Sequence, residues 1–113
     1  MSKYNVNYDE FTLKNGLRVI LAPDNSIPSA AINICYHVGS KNENTDQKGY
    51  AHLFEHLMFE GSKNVEPGDY DNLSLNAGCE NNAYTTEDKT NYYRKNTGTA
   101  TQYFHSTGKY DAC

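Results

Sequence analysis

The chain has 113 residues, a formal net charge of −4 and a hydrophobic fraction of 37%, which together predict a single domain with a small core. The acidic balance argues against nucleic acid or an anionic membrane as the main partner, and no stretch approaches the roughly 18 apolar residues of a membrane-spanning helix. Residues 1–7 lack the apolar centre of a signal peptide, and the three scattered cysteines favour free thiols in a reducing compartment. These features predict a cytoplasmic protein without a membrane or nucleic acid partner.

The first part of the chain has the alternating pattern of β-strands. Residues 9–13 alternate polar and apolar side chains, and residues 17–22 return as a second strand after an Asn15-Gly16 turn, which predicts a β-hairpin. A loop with two prolines follows, and residues 29–38 then alternate once more and predict a third strand.

A helix is predicted between Gly49 and Gly61. Apolar side chains recur there at the spacing of a helix that faces a core: Tyr50, Leu53, Phe54, Leu57 and Met58. Thr45 or Asp46 is the expected N-terminal cap, and Gly61 is the expected C-terminal stop.

Inside this helix lies the pentapeptide from His52 to His56, which reads His-Leu-Phe-Glu-His. On a helix, His52, Glu55 and His56 project on one side. Two imidazoles one turn apart can bind a single Zn²⁺, and a neighbouring carboxylate can activate a water molecule. The alternative is that both histidines are ordinary surface residues and that Glu55 is a solvated helical glutamate.

The second half of the chain is predicted to contain one more helix and two strands. Residues 69–77 predict a short helix that Gly78 ends, and residues 81–93 predict two strands joined by a turn at Glu87-Asp88. Residues 94–113 contain no Leu, Ile, Val or Met and show no period. We interpret residues 1–93 as the domain and residues 94–113 as an unpatterned tail, either disordered or encoded in a shifted reading frame.

Three ordered blocks of this sequence, residues 11–21, 36–62 and 82–93, resemble the M16 family of zinc metallopeptidases. These are the inverted zincins, which include pitrilysin, insulin-degrading enzyme and the mitochondrial processing peptidase. The resemblance implies an α+β fold, with a mostly antiparallel sheet and packed helices, as the N-terminal fragment of a truncated LuxS/M16-type domain. One sheet would contain the hairpin, the third strand and the last two strands, with part of its surface and an edge uncovered.

Carried over by position, the resemblance implies that His52 and His56 are zinc ligands and that Glu55 is the catalytic general base. Asn82 and Ala83 fall where the family holds a substrate as an additional β-strand; alternatively, Asn82 simply begins a strand or binds its own backbone. The family's third ligand, a glutamate, lies roughly 70–80 residues beyond the second histidine, so no third zinc ligand is expected in this chain. A second M16-type domain or subunit is the implied partner.

Three functional hypotheses follow. The first is a zinc-dependent metalloendopeptidase that hydrolyses peptide bonds in a peptide or protein substrate, present here as a fragment that is weak or inactive alone. The second is a non-catalytic fragment that binds a peptide or partner along the Asn82 edge strand. The third is a non-functional product without a stable fold.

Overall fold

The structure, a computed structural model, describes residues 6–97. Within this range the chain forms five strands and two helices: β1 (Asp9–Thr12), β2 (Arg18–Leu21), β3 (Ser29–Tyr36), α1 (Tyr50–Leu57), α2 (Asp69–Asn76), β4 (Cys79–Thr85) and β5 (Thr90–Thr97). A short 3₁₀ helix, Ser40–Asn42, lies between β3 and α1. The predicted α+β class with antiparallel strands is confirmed.

The hairpin of β1 and β2 forms where the sequence predicts it. The backbone reverses at Gly16, whose φ is +89°, and the Asn15 side chain accepts a hydrogen bond from the Leu17 amide at 3.1 Å. The expectation that the hairpin joins the main sheet is wrong, because β1 and β2 form a separate two-stranded sheet.

The main sheet has three antiparallel strands in the order β3-β5-β4. β5 ends at Thr97 rather than at the predicted Tyr93, and Thr97 pairs with Ser29. Sequence patterning missed these last residues because main-chain hydrogen bonds to β3 sustain a strand without an apolar period. Residues 98–113, the rest of the predicted tail, lie outside the described part of the chain.

The two helices cover one face of the main sheet. In the register of the sheet, Ile34 lies opposite Tyr92, and Tyr92 lies opposite Ala83, so side chains at alternate positions from these share a face. α1 packs against β4 and β5, and α2 packs against β4. Asn82 has the opposite phase along β4 and therefore projects on the other face.

The buried face of α1 differs from the predicted one. Tyr50, Leu53 and Phe54 of the predicted core stripe are 50%, 51% and 61% exposed, whereas Ala51 and Glu55 are each 8% exposed. The closest approach of the helix to the sheet is made by these two residues, and the apolar stripe stays half exposed. Apolar periodicity identified the helix but predicted a packed stripe where the described structure leaves it open to solvent.

Little apolar surface is buried in the described part of the chain. Among the described residues, Ala51 and Cys79 are the buried hydrophobic ones, and the buried polar or charged ones are Glu55, Ser74, Thr90, Asn91 and Asn96. β3 is exposed along its whole length, which agrees with the expectation of an uncovered sheet surface. Neither α1 nor α2 is long and apolar enough to cross a bilayer, and the same is true of every helix within residues 6–97.

Candidate active site

The helix that carries the His-Leu-Phe-Glu-His motif begins after Gly49, which adopts a left-handed conformation with φ of +89°. Gly49 has no side chain to cap the helix, and neither Thr45 nor Asp46 does so. Instead, the Glu43 carboxylate accepts hydrogen bonds from the Gly49 amide at 2.7 Å and from the Ala51 amide at 2.8 Å. The predicted N-terminal cap is therefore corrected to Glu43.

The C-terminal end of α1 also lies earlier than predicted. The helix ends at Leu57, and the chain continues through turns in which the Phe59 amide binds the His56 carbonyl at 3.1 Å. Such i to i+3 bonds satisfy carbonyls that a helix end leaves without partners, so the helix stops before Gly61 is reached.

α1 brings the two histidines of the motif together. The Nε2 atoms of His52 and His56 are 3.1 Å apart, and their ring centroids are 4.8 Å apart with a 48° angle between the planes. Both side chains are exposed, so solvent and solutes can reach the two nitrogens.

Glu55 is buried between α1 and β4. The Thr85 hydroxyl donates a hydrogen bond to its Oε2. The neighbouring Thr90 hydroxyl lies 3.5 Å from that of Thr85 and donates instead to the Val38 carbonyl at 2.9 Å. Because a threonine hydroxyl has one hydrogen, that of Thr85 is committed to Glu55, which holds one carboxylate oxygen in place.

Tyr92 of β5 lies on the same sheet face, and the charge of Glu55 affects the pKa of its phenol. Burial raises the pKa of the Tyr92 phenol, and the negative charge of Glu55 raises it further. The ring contacts Tyr36 and Phe59 at centroid distances of 6.0 and 6.1 Å. The phenol is thus kept neutral next to the carboxylate.

A cavity of about 530 Å³ opens between α1 and the sheet. Its walls are mainly apolar, and α1 contributes Tyr50, Phe54 and Met58 to them, while Tyr36 and Tyr92 contribute from the strands. The two motif histidines do not line it. The cavity and the histidine pair therefore occupy different sides of the helix.

The structure does not bring the Asn82 side chain to the motif. Asn82 is exposed, and its Oδ1 accepts a hydrogen bond from the Ala83 amide at 2.8 Å. Since β4 is an edge strand and the Ala83 amide binds this side chain rather than β5, that amide faces the free edge. Within residues 6–97, an added strand would have access to β4 along this edge.

Sequence reasoning missed two residues that contact the candidate site. Thr85 belongs to the third block that resembles the M16 family, and its strand phase places it on the helix-covered face, which is the signal that could have identified it. Glu43 had no such signal, because it caps α1 from six residues before Gly49 rather than from a capping-box position.

The side chains present fit part of a zinc site. Two Zn–N bonds of about 2.0–2.1 Å at a tetrahedral angle place two nitrogens about 3.3 Å apart, close to the observed 3.1 Å between His52 and His56. Within residues 6–97, no group of three or more His, Cys, Asp and Glu side chains could hold a metal. The described segment therefore offers two ligands, and a tetrahedral catalytic site needs a third.

Comparisons with known proteins give a family match over most of the chain. The model of the insulinase family, Peptidase family M16, matches residues 18–104. The zinc protease PqqE of Helicobacter pylori is 38% identical over 93 residues, which cover 81% of this chain and 21% of that protein. The beta subunit of the mitochondrial-processing peptidase of Bos taurus is 36% identical over 83 residues, which cover 74% and 17% of the two chains.

A solved structure is similar to this chain as well. The crystal structure of a protease from Helicobacter pylori superposes with a TM-score of 0.79 at 36% identity, covering 83% of this chain and 23% of that one. The chain thus spans about a fifth of the length of the relatives it matches. The family match covers both motif histidines, Glu55 and the β4–β5 hairpin, and the chain belongs to Peptidase family M16.

Proposed function

We propose that this chain supplies two zinc ligands, His52 and His56, and the general base, Glu55, of a metalloendopeptidase site. The observation that carries the proposal is the 3.1 Å separation of the two Nε2 atoms on a helix that also holds Glu55. When bound, Zn²⁺ supplies Lewis acidity, which polarises a peptide carbonyl and acidifies a water molecule.

Other residues of the chain position the base and bind the substrate. Thr85 holds Oε2 of Glu55, and Oε1 is then the oxygen that takes a proton from the attacking water and passes it to the leaving amine. The free edge of β4 at Ala83 binds the substrate as an extended strand, through main-chain hydrogen bonds that make little demand on its sequence. The substrate class is therefore a peptide or an extended protein segment.

The site needs a third ligand from outside residues 6–97, because this range contains no third metal-binding side chain in the cluster. We propose that this ligand, and groups that close over the substrate, come from a further M16-type segment or subunit. Activity of the 113-residue chain by itself is accordingly expected to be weak or absent. A cytoplasmic location stays a prediction.

The first test is zinc binding, which does not require the complete enzyme. Zinc titration against a competing chelator should give one Zn²⁺ per chain, and His52→Ala or His56→Ala should weaken binding by more than about 100-fold, because loss of even an outer-shell partner costs about 10–100-fold. His37→Ala removes an exposed histidine outside the motif and is the matched control. Equal affinity in the wild type and His52→Ala would contradict the metal assignment.

The second test is peptide cleavage. Any zinc-dependent cleavage by the chain, alone or supplemented with a relative's remaining domain, should be lost in Glu55→Gln and retained in Glu60→Gln, which removes an equal charge from an exposed position. Equal cleavage by the wild type and Glu55→Gln would remove the catalytic role. Peptide affinity that persists with chelator and in His52→Ala, without cleavage, would instead support the non-catalytic alternative.

A further inference from the structure

The first turn of α1 is held by a carboxylate that lies outside the helix. Glu43 places Oε2 on the Gly49 amide at 2.7 Å and Oε1 on the Ala51 amide at 2.8 Å. Amide hydrogens at a helix N-terminus have no intrahelical partner, and the helix dipole favours negative charge there. Both oxygens of one side chain thus act on the turn that leads directly into His52.

Glu43 is itself fixed to the β4–β5 hairpin by the segment of residues 39–43, here called the bracket. The Ser40 amide donates to the Thr86 carbonyl at 3.1 Å, and the Lys41 amide donates to the Glu87 carbonyl at 2.8 Å. Gly39 lies so close that a Cβ there would stand 2.6 Å from the Glu87 carbonyl carbon. The bracket therefore docks tightly on the turn between the two strands.

The same hairpin holds α1 at a second point, where Thr85 binds Glu55. Packing alone holds the helix weakly, since α1 spans only residues Tyr50–Leu57 and the side chain of Phe54 is 61% exposed. Two polar ties, one through Glu43 and one through Thr85, thus determine where the helix lies relative to the hairpin.

We propose that Glu43 is a positioning residue for the candidate zinc site, acting through the first turn of α1 to hold His52 and Glu55 in register with the β4–β5 hairpin. This inference rests on the proposed function for its consequence on zinc. The two hydrogen bonds from the Gly49 and Ala51 amides to Glu43, here called the clamp, do not depend on metal. A neutral amide cannot replace the carboxylate. The Gly49 and Ala51 amides both donate hydrogen bonds, whereas glutamine has one accepting oxygen and a nitrogen that only donates.

The test compares Glu43→Gln with Glu66→Gln, which removes the same charge from an exposed loop residue. Chelator competition with Zn²⁺ should show affinity about tenfold weaker or more in Glu43→Gln, in the range of outer-shell partners, and unchanged affinity in Glu66→Gln. Glu43→Asp keeps the charge but is one methylene shorter, and it should retain part of the affinity. Equal zinc affinity in the wild type and Glu43→Gln would overturn the proposal.

Amide hydrogen exchange in the metal-free chain separates positioning from general stability. In Glu43→Gln, protection should fall at Gly49 and Ala51 and stay unchanged at the β4–β5 ladder. Unchanged protection at Gly49 and Ala51, or loss of protection across the whole sheet, would each overturn the positioning role. If the wild type binds no zinc while the local loss of protection is observed, the proposed function fails and the clamp stands.

Discussion

Single residues define the chemistry available at α1. Glu55 is 8% exposed and depends on the Thr85 hydroxyl for a partner, whereas His52 and His56 face solvent. A buried carboxylate without a hydrogen bond is costly, so Thr85 both orients the proposed base and makes its burial tolerable. This pairing was invisible in the pentapeptide, which shows only that Glu55 and the two histidines share a side of a helix.

Replacing Thr85 tests this dependence directly. Thr85→Val keeps the shape and the strand preference of the side chain but leaves Glu55 without its donor, so the free energy of unfolding should fall by about 1–3 kcal/mol. Urea denaturation measures the change, and Thr85→Ser, which keeps the hydroxyl, should recover most of it. Equal stability of the Val and Ser variants would show that the hydrogen bond contributes nothing.

Acid should release the Glu43 clamp. Hydrogen bonds from the Ala51 and Gly49 amides hold the pKa of Glu43 below its ordinary value of 4.5. A group whose pKa is depressed by folding contributes stability that is present above its unfolded pKa and lost as the pH falls through the folded value. The contribution of Glu43 should therefore be intact above about pH 4.5 and be lost as the pH falls further, through the lower pKa of the folded state.

NMR provides the measurement. Between about pH 6 and about pH 3, the amide proton shifts of Gly49 and Ala51 should move together as Glu43 protonates. The same two signals in Glu43→Gln should lack this step. A step of equal size in that variant would assign the transition to another group.

At the scale of elements, the sheet and the helix meet through polar contacts more than through apolar packing. The bracket joins α1 to the β4–β5 turn, and its approach at Gly39 leaves no room for a side chain. Tyr50 and Leu53 of the apolar stripe, by contrast, remain half exposed. The placement of α1 thus depends on a loop that binds the hairpin through main-chain hydrogen bonds.

Gly39→Ala examines that close approach. The added methyl group would overlap the Glu87 carbonyl and push the bracket off the hairpin, which should lower the free energy of unfolding by about 1–3 kcal/mol. Ser40→Ala, at the next position and exposed, should change it by less than about 0.5 kcal/mol. Urea denaturation compares the two, and equal stability in both variants would argue that the bracket does not dock as described.

At the scale of the whole molecule, the described chain exposes much apolar surface. β3 is an edge strand, and its Ile32 and Ile34 are 49% and 47% exposed. An edge strand with exposed apolar side chains invites pairing with another chain. The exposed edge of β3 is therefore expected to pair with another strand.

In solution, the 113-residue chain should therefore associate with itself. Sedimentation velocity should show concentration-dependent oligomers of the wild type, and Ile34→Lys should shift them toward monomer, because a lysine on an edge strand opposes pairing. Ile20→Lys, at a similarly exposed position in the separate hairpin, is the control and should have a smaller effect. Equal suppression by both variants would point to general charge repulsion instead of the β3 edge.

The sequence was informative where local rules decide structure. The Asn15-Gly16 turn, the helix around His52 and the reversal at Glu87-Asp88 all follow from backbone preferences and short periods. The family was recognised from the resemblance of three ordered blocks. The spacing of His52, Glu55 and His56 within about one helical turn also predicts that they lie close together in space.

Only the tertiary structure decided which side of α1 meets the sheet, which carboxylate caps the helix and which hydroxyl binds Glu55. Glu43 and Gly49 are joined by a loop, and Thr85 and Glu55 are brought together by the fold, over separations at which local sequence carries no geometric rule. The exposure of the apolar stripe has the same origin, because periodicity identifies an apolar side of a helix but not whether anything covers it. The His-Leu-Phe-Glu-His motif was thus determined locally, and its support was determined by contacts between distant parts of the chain.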